Sequence, residues 1–190
     1  QGKNTEFYPQ QLGRQVLLEK DGKFAKLPKQ IVAMVENGKK VLAIGKIEDL
    51  FVGRGITEAI HTNGNADGIE RTINAIKEDR HDMIFTNLVD FDMLYGHRND
   101  PQGYGKALED FDNRLQEIYN KMAEDDILII TADHGNDPTY TGTDHTREKV
   151  PFLAYSPSMS GAGKLPEQET FAVIGATIAD NFNVAMPQGT

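Results

Sequence analysis

Short apolar runs that are typical of buried strands alternate along this chain with segments of helical periodicity. The strand-like runs are Val41 to Lys46, Met83 to Phe91, Asp126 to Asp133 and Val150 to Pro157. Such runs are rich in β-branched and large apolar residues, which favour strands. Strands that alternate with helices predict an α/β layered domain with a largely parallel sheet.

The helical segments are indicated by apolar residues that recur at steps of three and four. The clearest set is Leu108, Phe111, Leu115, Ile118 and Met122, which predicts a long amphipathic helix. Asp67 and Glu70 resemble a capping box and predict a helix over residues 67–79. Two further helices are predicted, and their apolar faces are Leu27, Ile31, Val32 and Val35, and Phe171, Ile174, Ile178 and Phe182.

Acidic and histidine residues follow two of the predicted strands. The second strand leads to Asp90, Asp92 and His97, and the third leads to Asp133, His134, Asp137, Asp144 and His145. In open α/β sheets, ligands bind beyond the carboxyl ends of the strands. Imidazole and carboxylate together suit zinc or manganese. A single such pair is more often a helix cap or a surface hydrogen-bonding pair than a metal site. Two clusters at successive strand ends make a metal site as good an interpretation as these, and the residues alone leave both open.

The other two histidines and one lysine of interest lie outside these clusters. His61 and His81 lie in polar loop sequence, so both are predicted to be exposed to solvent. Lys46 directly follows the first strand. Its ammonium group either binds an anionic substrate or simply faces water, and the residues alone leave both interpretations open.

The composition of the chain excludes several classes of protein and of metal site. The chain has 190 residues, a net charge of −9 and no cysteine, which excludes disulfides and thiolate metal sites. The acidic balance argues against broad nucleic-acid binding, because that requires a basic face. The apolar runs are too short to span a bilayer, and the first residues do not resemble a secretory signal. A cytoplasmic location is therefore expected.

Several long motifs resemble the phosphopentomutase family of the alkaline phosphatase superfamily. They are AIGKIEDLF, FTNLVDFDMLYGHR, GYGKALEDFD, LIITADHGNDPT, GTDHTRE and ETFAVIGATIADNF, and they follow one another in the family's order. The resemblance covers roughly residues 27–184. It implies an α/β/α layered core that is incomplete in this chain, with residues 1–25 as the remnant and linker of a cap domain. Residues 26–190 would then form the carboxy-terminal part of the metal-binding core domain.

The resemblance also implies a chemistry and a set of ligands. Family members move phosphate between the 1 and 5 positions of ribose or deoxyribose, using two Mn²⁺ ions, with Mg²⁺ and Zn²⁺ as open alternatives. By similarity, Asp92, His97 and His145 would hold one ion, and Asp133 and His134 would contribute to the second. Lys46 would bind the substrate phosphate.

The family pattern is not fully matched. Its threonine nucleophile and one further aspartate ligand have no counterpart in this chain, so no catalytic residue is assigned and the chain alone is expected to be inactive. Either the chain is a fragment whose partner is the amino-terminal half, or it is a natural short relative without catalysis. Retention of all five ligands favours the fragment.

Three other functions remain open beside this one. The strand end ADHGN is shared with cofactor-independent phosphoglycerate mutase, but the five-residue step from Asp92 to His97 favours the pentose enzyme. A metal-dependent phosphatase would use the same ligands with water as acceptor. A non-catalytic metal-binding module would take up metal without turnover.

Overall fold

The computed structural model describes residues 29–185. The predicted cap remnant at residues 1–25 and the predicted helical position Leu27 lie outside the described residues. The helices are α1 Lys29–Glu36, α2 Ile47–Phe51, α3 Asn65–Glu78, α4 Pro101–Tyr119 and α5 Ala172–Asn181, with a π-helical segment at Phe91–Gly96. The strands are β1 Val41–Ile44, β2 Glu58–Ile60, β3 Met83–Thr86, β4 Leu128–Thr131 and β5 Phe152–Tyr155.

A parallel three-stranded sheet in the order β2-β1-β3 forms the centre of the fold. In β1, Leu42 pairs with Glu58 of β2 and with Ile84 of β3. Every residue of β1 is buried, as expected for the central strand of a sheet that is covered on both faces. The three-layered α/β prediction with a parallel sheet is therefore confirmed.

Alternate residues of β1 pack on opposite layers of helices, as the two-residue period of a strand requires. Val41 and Ala43 belong to an apolar cluster that includes Met34 of α1 and Ala179 of α5. On the other face, Leu42 packs with Ala75 of α3. A third cluster joins α3 to α4 and contains Ile69, Ile73 and Ile118. Burying the larger of these side chains, such as Met34 and Ile73, contributes roughly 1.5–3 kcal/mol each.

The second pair of strands departs from the expected parallel arrangement. β4 and β5 pair antiparallel as a separate two-stranded sheet, with Leu128 opposite Tyr155 and Thr131 opposite Phe152. No helix lies in the connection at residues 132–151, whereas the crossover between parallel strands usually contains one. Gly135 and Thr146 form a further antiparallel bridge within this connection. The connection is thus a long hairpin, called the β4–β5 hairpin loop below.

Several predicted boundaries also differ from the structure. The strand predicted over Met83 to Phe91 ends at Thr86, and the π-helical segment occupies its last residue. The helix predicted from residue 67 begins at Asn65, so Asp67 lies in its first turn rather than at its cap. The carboxylate of Asp67 accepts a hydrogen bond from the Asn63 amide, 3.0 Å away. Strand β2 was not predicted.

Among the helices within residues 29–185, none has both the length and the apolar composition needed to cross a membrane.

Candidate metal centre

Asp92 and His97 are brought together by the π-helical segment that follows β3. The backbone amide of His97 donates to the carbonyl of Asp92 at 2.9 Å, which is the five-residue hydrogen bond of a π-turn. In an α-helix, residues five apart point in directions about 140° apart. The wider turn reduces this separation, so His97 Nε2 lies 3.3 Å from Asp92 Oδ1.

His145 reaches the same carboxylate from the β4–β5 hairpin loop. Its Nε2 atom lies 3.2 Å from Asp92 Oδ1. Asp92, His97 and His145 each offer one ligand atom, and these atoms lie within 4.8 Å of one another. The three predicted ligands of the first ion therefore converge on one point. One carboxylate and two imidazoles form a donor set that fits Mn²⁺ or Zn²⁺.

Backbone contacts orient the imidazole of His97 for coordination. Its Nδ1 atom contacts the carbonyl oxygen of Thr143 in the β4–β5 hairpin loop. Since a carbonyl only accepts, Nδ1 carries the proton and donates, which leaves the lone pair of Nε2 free. Metal-binding histidines commonly have such a partner on the second ring nitrogen. The same contact ties the hairpin loop to the π-helical segment.

His145 is electrostatically suited to remain neutral. Burial lowers the pKa of His145, and the neighbouring His134 lowers it further, while Asp92 acts in the opposite direction. The rings of His134 and His145 stack, with centroids 3.6 Å apart. A neutral imidazole offers the lone pair that a divalent cation requires.

Asp133 and His134, the residues expected at a second ion, lie beside the first group at the end of β4. His134 Nε2 is 3.6 Å from Asp133 Oδ1 and 3.9 Å from Asp92 Oδ1. Nδ1 of His134 lies 3.1 Å from the Gly135 carbonyl. His134 thus lies near both carboxylates, and the assignment of Asp133 and His134 to a second ion stays a prediction.

Lys46 lies at the turn between β1 and α2. Gly45 makes this turn with φ of +89°, and a Cβ there would meet the carbonyl oxygen of Asn87, so glycine is required. The exposed ammonium group of Lys46 lies 2.8 Å from the Met93 sulfur in the π-helical segment. Lys46 is therefore close to the residue that follows Asp92, and its phosphate-binding role stays a prediction.

Two acidic residues beside the ligands have local structural partners. Asp90 accepts a hydrogen bond from the Asn65 amide at 2.7 Å, so it caps the first turn of α3. Asp137 forms a turn in which the Thr139 amide donates to its Oδ1 atom at 2.8 Å. Hydrogen bonds from the Thr139 side chain and amide lower the pKa of Asp137. A helix cap and a turn therefore account for Asp90 and Asp137, respectively.

The two remaining histidines behave differently from each other. The His61 side chain is 67% exposed, as predicted. The prediction of a solvated His81 is wrong, because its side chain is only 5% exposed and its Nε2 lies 3.1 Å from Glu58 Oε2. Glu58 belongs to β2, and this strand was not recognised in the sequence, so the contact between His81 and Glu58 could not be anticipated.

Two asparagines in this region were not identified from the sequence. Asn136 Nδ2 donates to Asp92 Oδ1 at 2.5 Å. Asn99 donates to the carbonyls of Tyr140 and Gly142 at 3.0 and 2.9 Å. Asn136 follows a glycine, which is a general turn signal, and nothing in that pattern distinguishes a residue that orders a site.

Comparisons with known proteins identify the family of the chain. The family model described as the metalloenzyme superfamily matches residues 20–186. A protein of Clostridioides difficile (strain 630) named phosphopentomutase is 59% identical over 153 residues, which cover 80% of this chain and 39% of that protein. A Clostridium perfringens protein of the same name is 58% identical over 155 residues, with 82% and 39% covered.

Solved structures show the same fold at much lower identity. A phosphoglycerate mutase of Leishmania mexicana, crystallised at low cobalt concentration, superposes with a TM-score of 0.67 and 18% identity, covering 88% of this chain and 38% of that one. A Pyrococcus horikoshii protein gives a TM-score of 0.62 at 15% identity, with coverages of 88% and 55%. These likenesses support the expected fold class.

The chain spans about two fifths of the length of the two phosphopentomutases described above. The convergence of Asp92, His97 and His145 lies inside the region that the family model matches. This chain belongs to the metalloenzyme superfamily, and within it the chain resembles phosphopentomutases over most of its own length.

Proposed function

We propose that this chain supplies a divalent-metal site to a phosphopentomutase, which interconverts the 1-phosphate and 5-phosphate of ribose or deoxyribose. The observation that carries the proposal is the convergence of Asp92, His97 and His145 within 4.8 Å. It occurs in a chain that is 59% identical to a protein named phosphopentomutase. Neither the arrangement of these three side chains nor the sequence identity would define the substrate on its own.

Each residue of the site has a proposed role. Asp92, His97 and His145 hold one Mn²⁺ ion, and Asp133 and His134 supply part of a second site. Divalent ions at such sites polarise a phosphoryl oxygen and neutralise its charge. Lys46, whose ammonium group is exposed beside Met93, binds a phosphate oxygen of the substrate. The net charge of −9 makes these cationic groups necessary for an anionic substrate.

The phosphate-accepting threonine and the remaining ligand of the second ion are proposed to come from sequence that this chain does not contain. The relatives extend well beyond the matched region, since the match covers 39% of their length. The chain alone is accordingly proposed to be inactive, and its partner is the amino-terminal half of the enzyme. The cytoplasmic location expected from the sequence stays a prediction.

A phosphoglycerate mutase is the nearest alternative, because one was found among the structural neighbours. That likeness, at 18% identity, concerns the fold alone. The identity of 59% to a phosphopentomutase and the five-residue step from Asp92 to His97, built into the π-helical segment, favour the pentose substrate.

The test is an assay of the chain combined with the remaining region of the Clostridioides difficile enzyme, in the presence of Mn²⁺. Conversion of ribose 1-phosphate to ribose 5-phosphate without release of inorganic phosphate is expected. Release of free phosphate would indicate a phosphatase instead. Metal uptake without turnover would indicate a binding module. An Asp92→Ala variant of the same assembly serves as the inactive control.

A further inference from the structure

The carboxylate of Asp92 is contacted by a side chain that is not among the expected ligands. Asn136 Nδ2 lies 2.5 Å from Asp92 Oδ1, the same oxygen that faces His97 at 3.3 Å and His145 at 3.2 Å. An amide nitrogen can only donate, so this contact is a hydrogen bond to the carboxylate. It fixes the direction in which Asp92 points between the two imidazoles.

Gly96 provides the space for this amide. A Cβ atom at position 96 would overlap the side chain of Asn136. The φ angle of Gly96 is not positive, so its backbone conformation is open to other residues. Gly96 is buried at the end of the π-helical segment. The absence of a side chain there is therefore what allows Asn136 to reach Asp92.

The β4–β5 hairpin loop holds Asn136 in a defined place. On one side of it, the Thr146 amide donates to the Gly135 carbonyl at 3.1 Å. On the other side, the Asp137 amide donates to Thr146 Oγ1 at 2.8 Å. Thr146 is 7% exposed and directly follows His145. One ordered unit therefore places both the metal-facing imidazole and the amide that orients Asp92.

We propose that Asn136 is a positioning residue of the metal site, which acts by holding Asp92 Oδ1 in the orientation needed for coordination. The inference rests on the proposed function of Asp92, His97 and His145 as ligands of one ion. Hydrogen-bond partners of metal ligands typically change metal affinity by 10–100-fold when they are removed. Asn136 itself does not coordinate the ion.

Cobalt binding to the 190-residue chain tests this role, because Co²⁺ reports its coordination geometry through visible absorption. Asn136→Leu keeps the branched shape of the side chain but removes the donor. We expect Co²⁺ and Mn²⁺ to bind about 10-fold more weakly, with a shifted Co²⁺ absorption band. Asn74→Leu is the matched control, since the Asn74 amide donates to the carboxylate of Glu70 on α3 at 3.3 Å.

Gly96→Ala is an independent variant. It retains the amide of Asn136, but its Cβ atom would occupy the space in which the Asn136 side chain lies. We expect the same spectral shift as for Asn136→Leu, and a double variant no weaker than either single one. Gly96→Ala also tests the positioning role of Asn136 if the Asn136→Leu variant does not fold.

Three results would overturn the proposal. The first is wild-type Co²⁺ affinity and spectrum in a folded Asn136→Leu variant, even if its thermal stability falls. The second is an unchanged spectrum in Gly96→Ala. The third is a wild-type chain that binds neither Co²⁺ nor Mn²⁺, which would overturn the proposed metal site as well. The first two results leave that site standing.

Discussion

Nε2 of His145 lies 3.2 Å from Oδ1 of Asp92, and this contact joins two parts of the fold that share no strand pairing. Asp92 follows β3 of the parallel sheet, whereas His145 belongs to the loop between β4 and β5. A divalent ion bound between these atoms would link the two parts directly. Metal binding is therefore expected to stabilise the fold as well as to serve chemistry.

Replacement of either histidine should abolish high-affinity binding at the first metal site. His97→Ala and His145→Ala each remove one of the three proposed ligands. A divalent ion that takes up water in place of such a ligand loses much of its affinity for the site. Isothermal titration with Mn²⁺ measures the effect. His61→Ala is the control, because the His61 side chain is 67% exposed. Unchanged Mn²⁺ affinity in both ligand variants would show that the assignment is wrong.

The parts of the fold that could be predicted are those with strong local signals. The centre of β1 was placed correctly because Val41 to Ile44 form a continuous apolar run, which is typical of a strand buried on both faces. Strand β2 was missed because its three residues, Glu58 to Ile60, are only half-buried and give no pattern. The antiparallel direction of β5 goes with a loop contact between Gly135 and Thr146, and the sequence gives no signal for that contact.

The candidate site divides in the same way. Asp92, His97 and His145 could be proposed because their side chains carry a recognisable chemistry. Asn136 could not be proposed from the sequence. Its contact with Asp92 depends on the missing side chain of Gly96 and on the π-turn that positions Asp92. Sequence periodicity has no signal for a single π-turn, which differs from an α-helix by one inserted residue.

Replacement of Lys46 should weaken substrate binding without changing metal content. Its exposed ammonium group lies beside Met93 and contacts none of the three ligands. A charge-assisted hydrogen bond to phosphate contributes roughly 1.5–3 kcal/mol, so Lys46→Ala should weaken binding of ribose 5-phosphate by at least about tenfold. Titration of the Mn²⁺-loaded chain measures this, with Lys77→Ala on α3 as control. Equal losses of metal and sugar phosphate would contradict the assigned role.

Asp82 should make stability depend on pH in the acid range. The Lys40 amide donates to Asp82 Oδ2 at 2.8 Å, and this hydrogen bond is the main cause of the lowered pKa of Asp82. The carboxylate therefore stabilises the fold above its ordinary pKa of 3.8, and the effect is lost as the pH falls through the lowered value.

Asp82→Asn tests this, because the neutral amide oxygen is a weaker acceptor. The free energy of unfolding should fall by about 1 kcal/mol at pH 7, and the difference from wild type should shrink as the pH approaches 3 in urea titrations. Asp112→Asn, an exposed position on α4, should leave the free energy unchanged. If the difference in unfolding free energy between wild type and Asp82→Asn grew toward acid pH, the assigned role of the Asp82 carboxylate would be wrong.

The free edge of β5 should make the isolated chain associate. Within residues 29–185, no strand pairs with the edge of β5 that faces away from β4. Leu153 and Tyr155 lie on one face of this strand and are 59% and 41% exposed. An unpaired edge strand with exposed apolar side chains can template strand pairing between molecules even when it is as short as the four residues of β5, and a lysine on the edge suppresses such pairing. Leu153→Lys should therefore reduce association in light scattering at micromolar concentration. Leu108→Lys changes an apolar side chain of similar exposure, 50%, on helix α4, and should have no such effect. A monodisperse wild-type monomer would show that this edge does not pair.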